Sequence, residues 1–229
     1  MHEFLQLAAL PLLLTMGAYQ IGLICQRKFK SPIFNPILIA VVLVLVFFSL
    51  TGLTNETYQK GTATISWLMT PATVCLAIPM YEHFQVLKRS ILSILAGVCA
   101  GAISCLAMVV LFVMLFGFDH TLAISLLPKS ITSAIGVPLS TLSGGLASVT
   151  TAAIILTGIF ASMLGPTFCK LFRLTQPLAQ GVAFGTAGHV IATAKANELS
   201  PLVGAVSSLS LVVAGLLTAA IFPLFSALL

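Results

Sequence analysis

Apolar residues run in long unbroken blocks along this chain, and polar residues gather in short clusters between them. Six blocks, about 4–25, 33–53, 62–83, 91–116, 147–169 and 202–225, reach the roughly 20 residues a helix needs to cross a bilayer. They lack the alternating ten-residue pattern of a transmembrane barrel. The pattern therefore predicts an all-α integral membrane protein of about six transmembrane helices. Two stretches fit neither class. Residues 118–146 and 174–201 are too apolar for solvated loops, yet proline, glycine and charge interrupt them. Irregular backbone survives at membrane depth only where protein buries it or where it lines a water-filled cavity. Both stretches are expected to be re-entrant hairpins dipping in from opposite faces.

The third block is abnormal in another way. It carries Pro71 and Pro79 near its middle, and proline removes a backbone donor and crowds the preceding turn. That helix is expected to be kinked or broken. Its string Pro71-Ala-Thr-Val-Cys-Leu-Ala-Ile also lines up with Pro128-Lys-Ser-Ile-Thr-Ser-Ala-Ile in the first hairpin. The match reads either as an internal repeat, which in a transporter points to the binding site, or as coincidence between apolar strings.

The basic residues set the orientation. Arg27, Lys28 and Lys30 follow the first block, Lys88 and Arg89 the third, Lys170 and Arg173 the fifth. Alternating crossings place all three clusters on one side, which the positive-inside rule makes cytoplasmic. Asn55, Glu56, Lys60 and the Asp119-His120 loop fall on the other side, and both termini are expected outside.

Composition agrees and narrows the function. Of the 229 residues 59% are hydrophobic and 7% charged, with mean hydropathy +1.15, against about 25% charged in a soluble domain. The whole chain, 1–229, reads as a single membrane domain. The net charge of +5 belongs to the loop clusters, so no nucleic-acid partner is expected. The amino-terminal segment lacks a basic n-region and reads as a retained first helix. Five cysteines are scattered without a C-x-x-C pair, so neither disulfides nor a metal site nor a cofactor is expected. No Walker A, GxSxG, HExxH or paired-carboxylate motif occurs, and catalysis has no support.

The interrupted segments carry the chemistry. The acidic residues are Glu3, Glu56, Glu82, Asp119 and Glu198. None lies in the middle of a block, which argues against coupling through a buried carboxylate; sodium held by carbonyls and hydroxyls stays open. Lys129 directly follows Pro128, and proline is favoured at the first helical position. Lys129 and Ser130 are thus expected in a helix's first turn, where free N–H groups and the dipole favour an anion. The alternative is a lysine snorkelling to water. Ser130, Thr132 and Ser133, with Thr73 in the third block, either donate to the same ligand or back-bond to helix carbonyls.

In the second hairpin Thr186, His189 and Thr193 share one face if the segment is helical. Gly185 and Gly188 permit close approach. His189 is expected at the hairpin tip, either as a ligand donor or bonded structurally to a carbonyl. Gly144 and Gly145 are expected to turn the chain out of the first hairpin. Gly97-x-x-x-Gly101 marks close helix packing, within the chain or in a homo-oligomer. Lys195 and Glu198 read first as a surface ion pair and second as an entrance to the site.

Four strings together, TPATVCLAIPMYEHF, LLPKSITSAIGVPLSTLSGG, TGIFASMLGP and GVAFGTAGHVIATAKANEL, resemble the LrgB/CidB family over nearly the whole chain. The resemblance carries two implications. One is the antiholin-like label: a regulator of murein hydrolases and autolysis, acting with a small LrgA/CidA-type membrane protein in the bacterial cytoplasmic membrane. The other comes from relatives that move carboxylates, including the plant plastid glycolate/glycerate translocator and bacterial pairs linked to pyruvate. The family motif falls on Pro128, Lys129 and Ser130, and on Gly185, Thr186, His189, Thr193 and Ala194. Where relatives often read TTPIAMEIS, this chain has TSAIGVPLS, with Pro138 added and no acid. The leading expectation is a carrier of small monocarboxylates (pyruvate, lactate, glycolate, glycerate), with Lys129 and His189 on the carboxylate.

Overall fold

A computed structural model describes residues 2–29, 34–52 and 54–229, with side chains from residue 9 onward. The described residues form helices and no strand. In order they are α1 (His2–Phe29), α2 (Pro36–Thr51), α3 (Asn55–Gly61), α4 (Ala63–Cys75), α5 (Ala77–Glu82) and α6 (Phe84–Arg89). Then come α7 (Ile91–Phe116), α8 (His120–Leu126), α9 (Ser133–Leu142), α10 (Ala147–Leu171), α11 (Pro177–Leu199) and α12 (Pro201–Ser226). Among the described residues five stretches are long and apolar enough to cross a membrane: Ala9–Phe29, Ala63–Glu82, Ile91–Phe116, Ala147–Leu171 and Pro201–Ser226. The second block folds as the 16-residue α2, about 24 Å long. Asn35 caps it by accepting from the Ile37 N–H, and Gly52 ends it at φ 65°. Lys30 lies outside the described residues.

The chain divides into two compact units, Met1–Cys75 and Leu76–Leu229. In the first, α1 packs on α2 and α3. Gly22 and Gly61 leave room for the backbone of Pro36 and the ring of Pro11. The Thr15 and Tyr58 hydroxyls meet at 2.8 Å. Asn55, Glu56 and Lys60, between the second and third blocks, form the short helix α3, whose N-cap is Thr54.

The third block is broken as its prolines require, though not at Pro71, which sits inside α4. The interruptions fall at Leu76 and His83. Leu76 lies three residues before Pro79, where the missing N–H leaves the Cys75 carbonyl without its helical donor. The repeat has no structural counterpart. Its first copy is helix through Cys75, whereas Pro128–Ile131 forms turns.

The second unit is built on α7, α10 and α12, and close approaches fix their directions. Gly97 and Gly101 of α7 face Val182 and Thr186, so α7 runs parallel to the first half of α11. The small-residue motif is therefore spent on packing within the chain. Gly181 and Gly185 face Val206 and Ser210, making α12 parallel to that half as well. Gly165 and Gly188 oppose Phe184 and Ala161, so α10 runs antiparallel to it. With no hydrophobic force between helices in lipid, such small-residue contacts and interhelical hydrogen bonds are what hold the unit together.

Both interrupted segments fold as re-entrant hairpins. In the first, Pro128 packs against Gly136, and Ser125 lies beside Gly145 and accepts from the Leu146 N–H at 2.8 Å. α9 returns antiparallel to α10: Ser140 and Thr150 join their hydroxyls at 2.7 Å, and Gly136 touches Ile154. In the second, α11 breaks at Gly188 (φ −135°, ψ 18°) and His189 (φ 42°, ψ −139°). Beyond the break Thr193 meets Ser207, and Asn197 meets Gly204. Position along α12 now falls as residue number rises, so the chain has reversed. The first hairpin enters from the side where α7 ends, the second from the side where α10 ends.

Candidate functional site

The two hairpin tips meet on α10. Ile154 packs on Gly136 from one tip, and its carbonyl oxygen accepts from Nε2 of His189 at the other, at 2.9 Å. A carbonyl cannot donate, so Nε2 carries a proton and is the donor. The ring fits because residue 158 is glycine. A β-carbon there would stand 2.7 Å from His189 Cε1 and 2.9 Å from Nε2. His189 is 4% exposed, and its positive φ costs an ordinary residue on the order of 1–3 kcal/mol. The carbonyl bond and the Thr193 hydroxyl donating to the His189 carbonyl at 2.8 Å hold that conformation. His189 thus sits at the tip as expected, but it is clamped to backbone and does not line the cavity beside it.

That cavity, about 460 Å³, lies between the first hairpin tip, α10 and the first half of α11. Its polar groups are Lys129, Ser130 and Thr157, with the thiols of Cys105 and Cys169; the remaining walls are apolar. α10 contributes Thr157, Phe160, Ala161, Leu164, Gly165, Phe168 and Cys169, the spacing that keeps side chains on one helical stripe. Lys129 is half-buried, with Nζ 3.3 Å from Ser130 Oγ. Among the described residues the one ion pair is Lys195–Glu198, at 2.6 Å, so Lys129 faces the cavity without a carboxylate partner.

One expectation for Lys129 is corrected. Pro128 does not open a helix. The Lys129 N–H bonds the Leu126 carbonyl and the Ile131 N–H bonds that of Pro128, both at 3.2 Å, so this stretch is a turn that continues out of α8. α9 begins only at Ser133, with Thr132 at its N-cap. Lys129 therefore borders the cavity from a turn and not from a helix N-terminus.

The remaining candidates divide. Ser130 also borders a cleft of about 10 Å³ shared with Thr186 and Thr218, so the structure brings Ser130 and Thr186 together. The Thr186 hydroxyl donates to the Val182 carbonyl at 2.7 Å. Thr186 and Thr193 do not share a helical face with His189, because the break separates them: Thr186 packs on Gly101 of α7, Thr193 on Ser207 of α12. Thr132 and Ser133 do not line the cavity, and Ser133 is exposed. Thr73 lies in the first unit, donating to the Met69 carbonyl at 2.8 Å. Pro128 is buried in the hairpin turn. Gly144 turns the chain at φ 93°, and Gly145 admits the Ser140 hydroxyl.

The residue reading missed Thr157 and the aromatic wall of Phe160, Phe168 and Phe184. The signal for the α10 stripe lay in the TGIFASMLGP segment, whose Thr, Phe, Ala and Leu recur at helical spacing. Among the described residues no group of three His, Cys, Asp or Glu is placed to hold a metal ion. A family model described as the LrgB-like family matches residues 15–228. No solved structure matches the chain.

Proposed function

The chain belongs to the LrgB-like family of multi-pass membrane proteins, and from that premise we propose that it carries small monocarboxylates of the pyruvate, lactate, glycolate and glycerate type across the bacterial cytoplasmic membrane. The observation that supports this most is Lys129. It is a half-buried ammonium at a re-entrant hairpin tip, facing a cavity and lacking any acidic partner among the described residues. A charge at membrane depth is costly and normally marks a ligand or ion path. An incoming carboxylate removes that cost. Ser130 and Thr157 supply hydroxyls for the carboxylate or its 2-oxygen.

Hairpins entering from opposite sides and meeting on α10 suit alternating access, each gating one side of a central site. Lys88, Arg89, Lys170 and Arg173 mark the cytoplasmic face in this reading, and the carboxyl terminus lies outside. A small LrgA/CidA-type membrane protein is the expected partner subunit. The test is uptake of labelled pyruvate and glycolate into proteoliposomes, by this chain alone and with that subunit. Saturable uptake that Lys129→Gln abolishes in folded protein is the expected result. No flux under any gradient, with the partner present, would sink the carrier reading and leave the antiholin-like role.

A further inference from the structure

We infer that the carboxylates this cavity holds best bear an apolar tail, a feature that rests on the carrier reading and names the substrate more narrowly. Apart from the Cys105 and Cys169 thiols, the polar groups of the cavity are Lys129, Ser130 and Thr157. Lys129, Ser130 and Thr157 gather where the hairpin tip meets α10, and beyond them the α10 stripe continues through Phe160, Leu164 and Phe168. From Thr157 to Cys169 that stripe extends about 18 Å. Phe184 of α11 and Leu174 add apolar walls. A volume of about 460 Å³ lies within the range of drug-sized ligand sites, roughly 300–1,000 Å³. A three-carbon acid anchored on Lys129 would leave most of it unfilled.

The walls also discriminate by chemistry. A hydroxyl on a longer tail, beyond the reach of Ser130 and Thr157, would lose water and gain no partner along the phenylalanine stripe, a loss that disfavours long polar tails. A methylene chain or branched alkyl group loses nothing there and buries apolar surface. Each methylene added within the cavity should tighten binding about fourfold.

The experiment is equilibrium binding by calorimetry to the full chain in lipid nanodiscs, titrating acetate, butyrate, hexanoate and palmitate, with pyruvate for comparison. The expected result is a stepwise gain from acetate to hexanoate and a loss at palmitate, whose tail outruns the cavity. Lys129→Gln should weaken every acid, and Phe168→Ala should shrink the gain per methylene. Affinity flat or falling with length, with acetate and pyruvate still dependent on Lys129, would overturn the tail preference and leave the carrier reading standing. Affinity rising through palmitate and indifferent to Lys129→Gln would mean partition into lipid, and would overturn the tail preference. Equal binding of acetate and pyruvate to wild type and Lys129→Gln, or no binding at all, would overturn the carrier site itself.

Discussion

Gly158→Ala should unlock the second hairpin tip. The new methyl would lie 2.7 Å from His189 Cε1, 2.9 Å from Nε2 and 3.0 Å from the Ile191 β-carbon, all inside ordinary contact distance. The imidazole must then leave the Ile154 carbonyl, and the tip must follow or repack. Overpacking of this kind costs about 1–3 kcal/mol, and the lost hydrogen bond adds roughly 1 kcal/mol, for a total of about 2–4 kcal/mol. In a chain of this size that lowers the melting temperature by roughly 4–16 °C. The matched control is Gly17→Ala, where nothing lies within 4 Å of the added carbon and helix propensity alone should stabilise by about 0.5–1 kcal/mol. Thermal unfolding in detergent, followed by circular dichroism, compares the two. A double variant with His189→Ala completes the cycle. Removing the ring should relieve much of the clash, giving a coupling of order 1 kcal/mol or more. A Gly158→Ala protein as stable as the Gly17→Ala control would refute the clamp.

The Ser208 and Ser210 hydroxyls are buried without a hydrogen-bond partner, so Ser208→Ala and Ser210→Ala should each be neutral or raise the melting temperature by a few degrees; clear destabilisation by either would show a partner. Ser207→Ala, by contrast, removes the 2.7 Å bond to Thr193 and should cost about 1 kcal/mol in the same assay. Gly185→Ala places its methyl against the Ser207 carbonyl and the Leu211 amide. Because backbone cannot step aside as a side chain can, this substitution should lower the yield of folded protein on size-exclusion chromatography far more than Gly17→Ala does.

Which features the residues reveal follows from how local each cause is. Spans are legible because a bilayer demands long apolar runs, and the hairpins because 118–146 and 174–201 are neither span nor loop. The reversal at His189 was foreshadowed by the Gly185-x-x-Gly188 spacing around a lone histidine. Its partner was not, because the Ile154 carbonyl is presented only once α10 packs alongside with glycine at 158. The turn at Lys129 was misread because Pro128 fits a helix start or an α8 end equally well by local rules. What settled it was the packing of Pro128 on Gly136. The hydroxyls of Ser125, Ser140 and Thr150 bind the hairpin's base together, a structural use that the run of polar residues shares with ligand binding. Thr157 stayed hidden because helical spacing groups it with Phe160, Ala161 and Leu164 without saying whether that stripe meets lipid, protein or a cavity.

In the proposed function the Lys129 ammonium binds a carboxylate in this cavity. The most direct test of this is calorimetric binding of pyruvate and of its uncharged amide to wild type, Lys129→Arg and Lys129→Gln. A charge-assisted contact of about 1.5–3 kcal/mol predicts that wild type binds pyruvate roughly 10- to 150-fold more tightly than the amide. Lys129→Gln should erase that difference and Lys129→Arg should keep part of it. Equal affinity of wild type for acid and amide, or full discrimination in Lys129→Gln, would contradict the account.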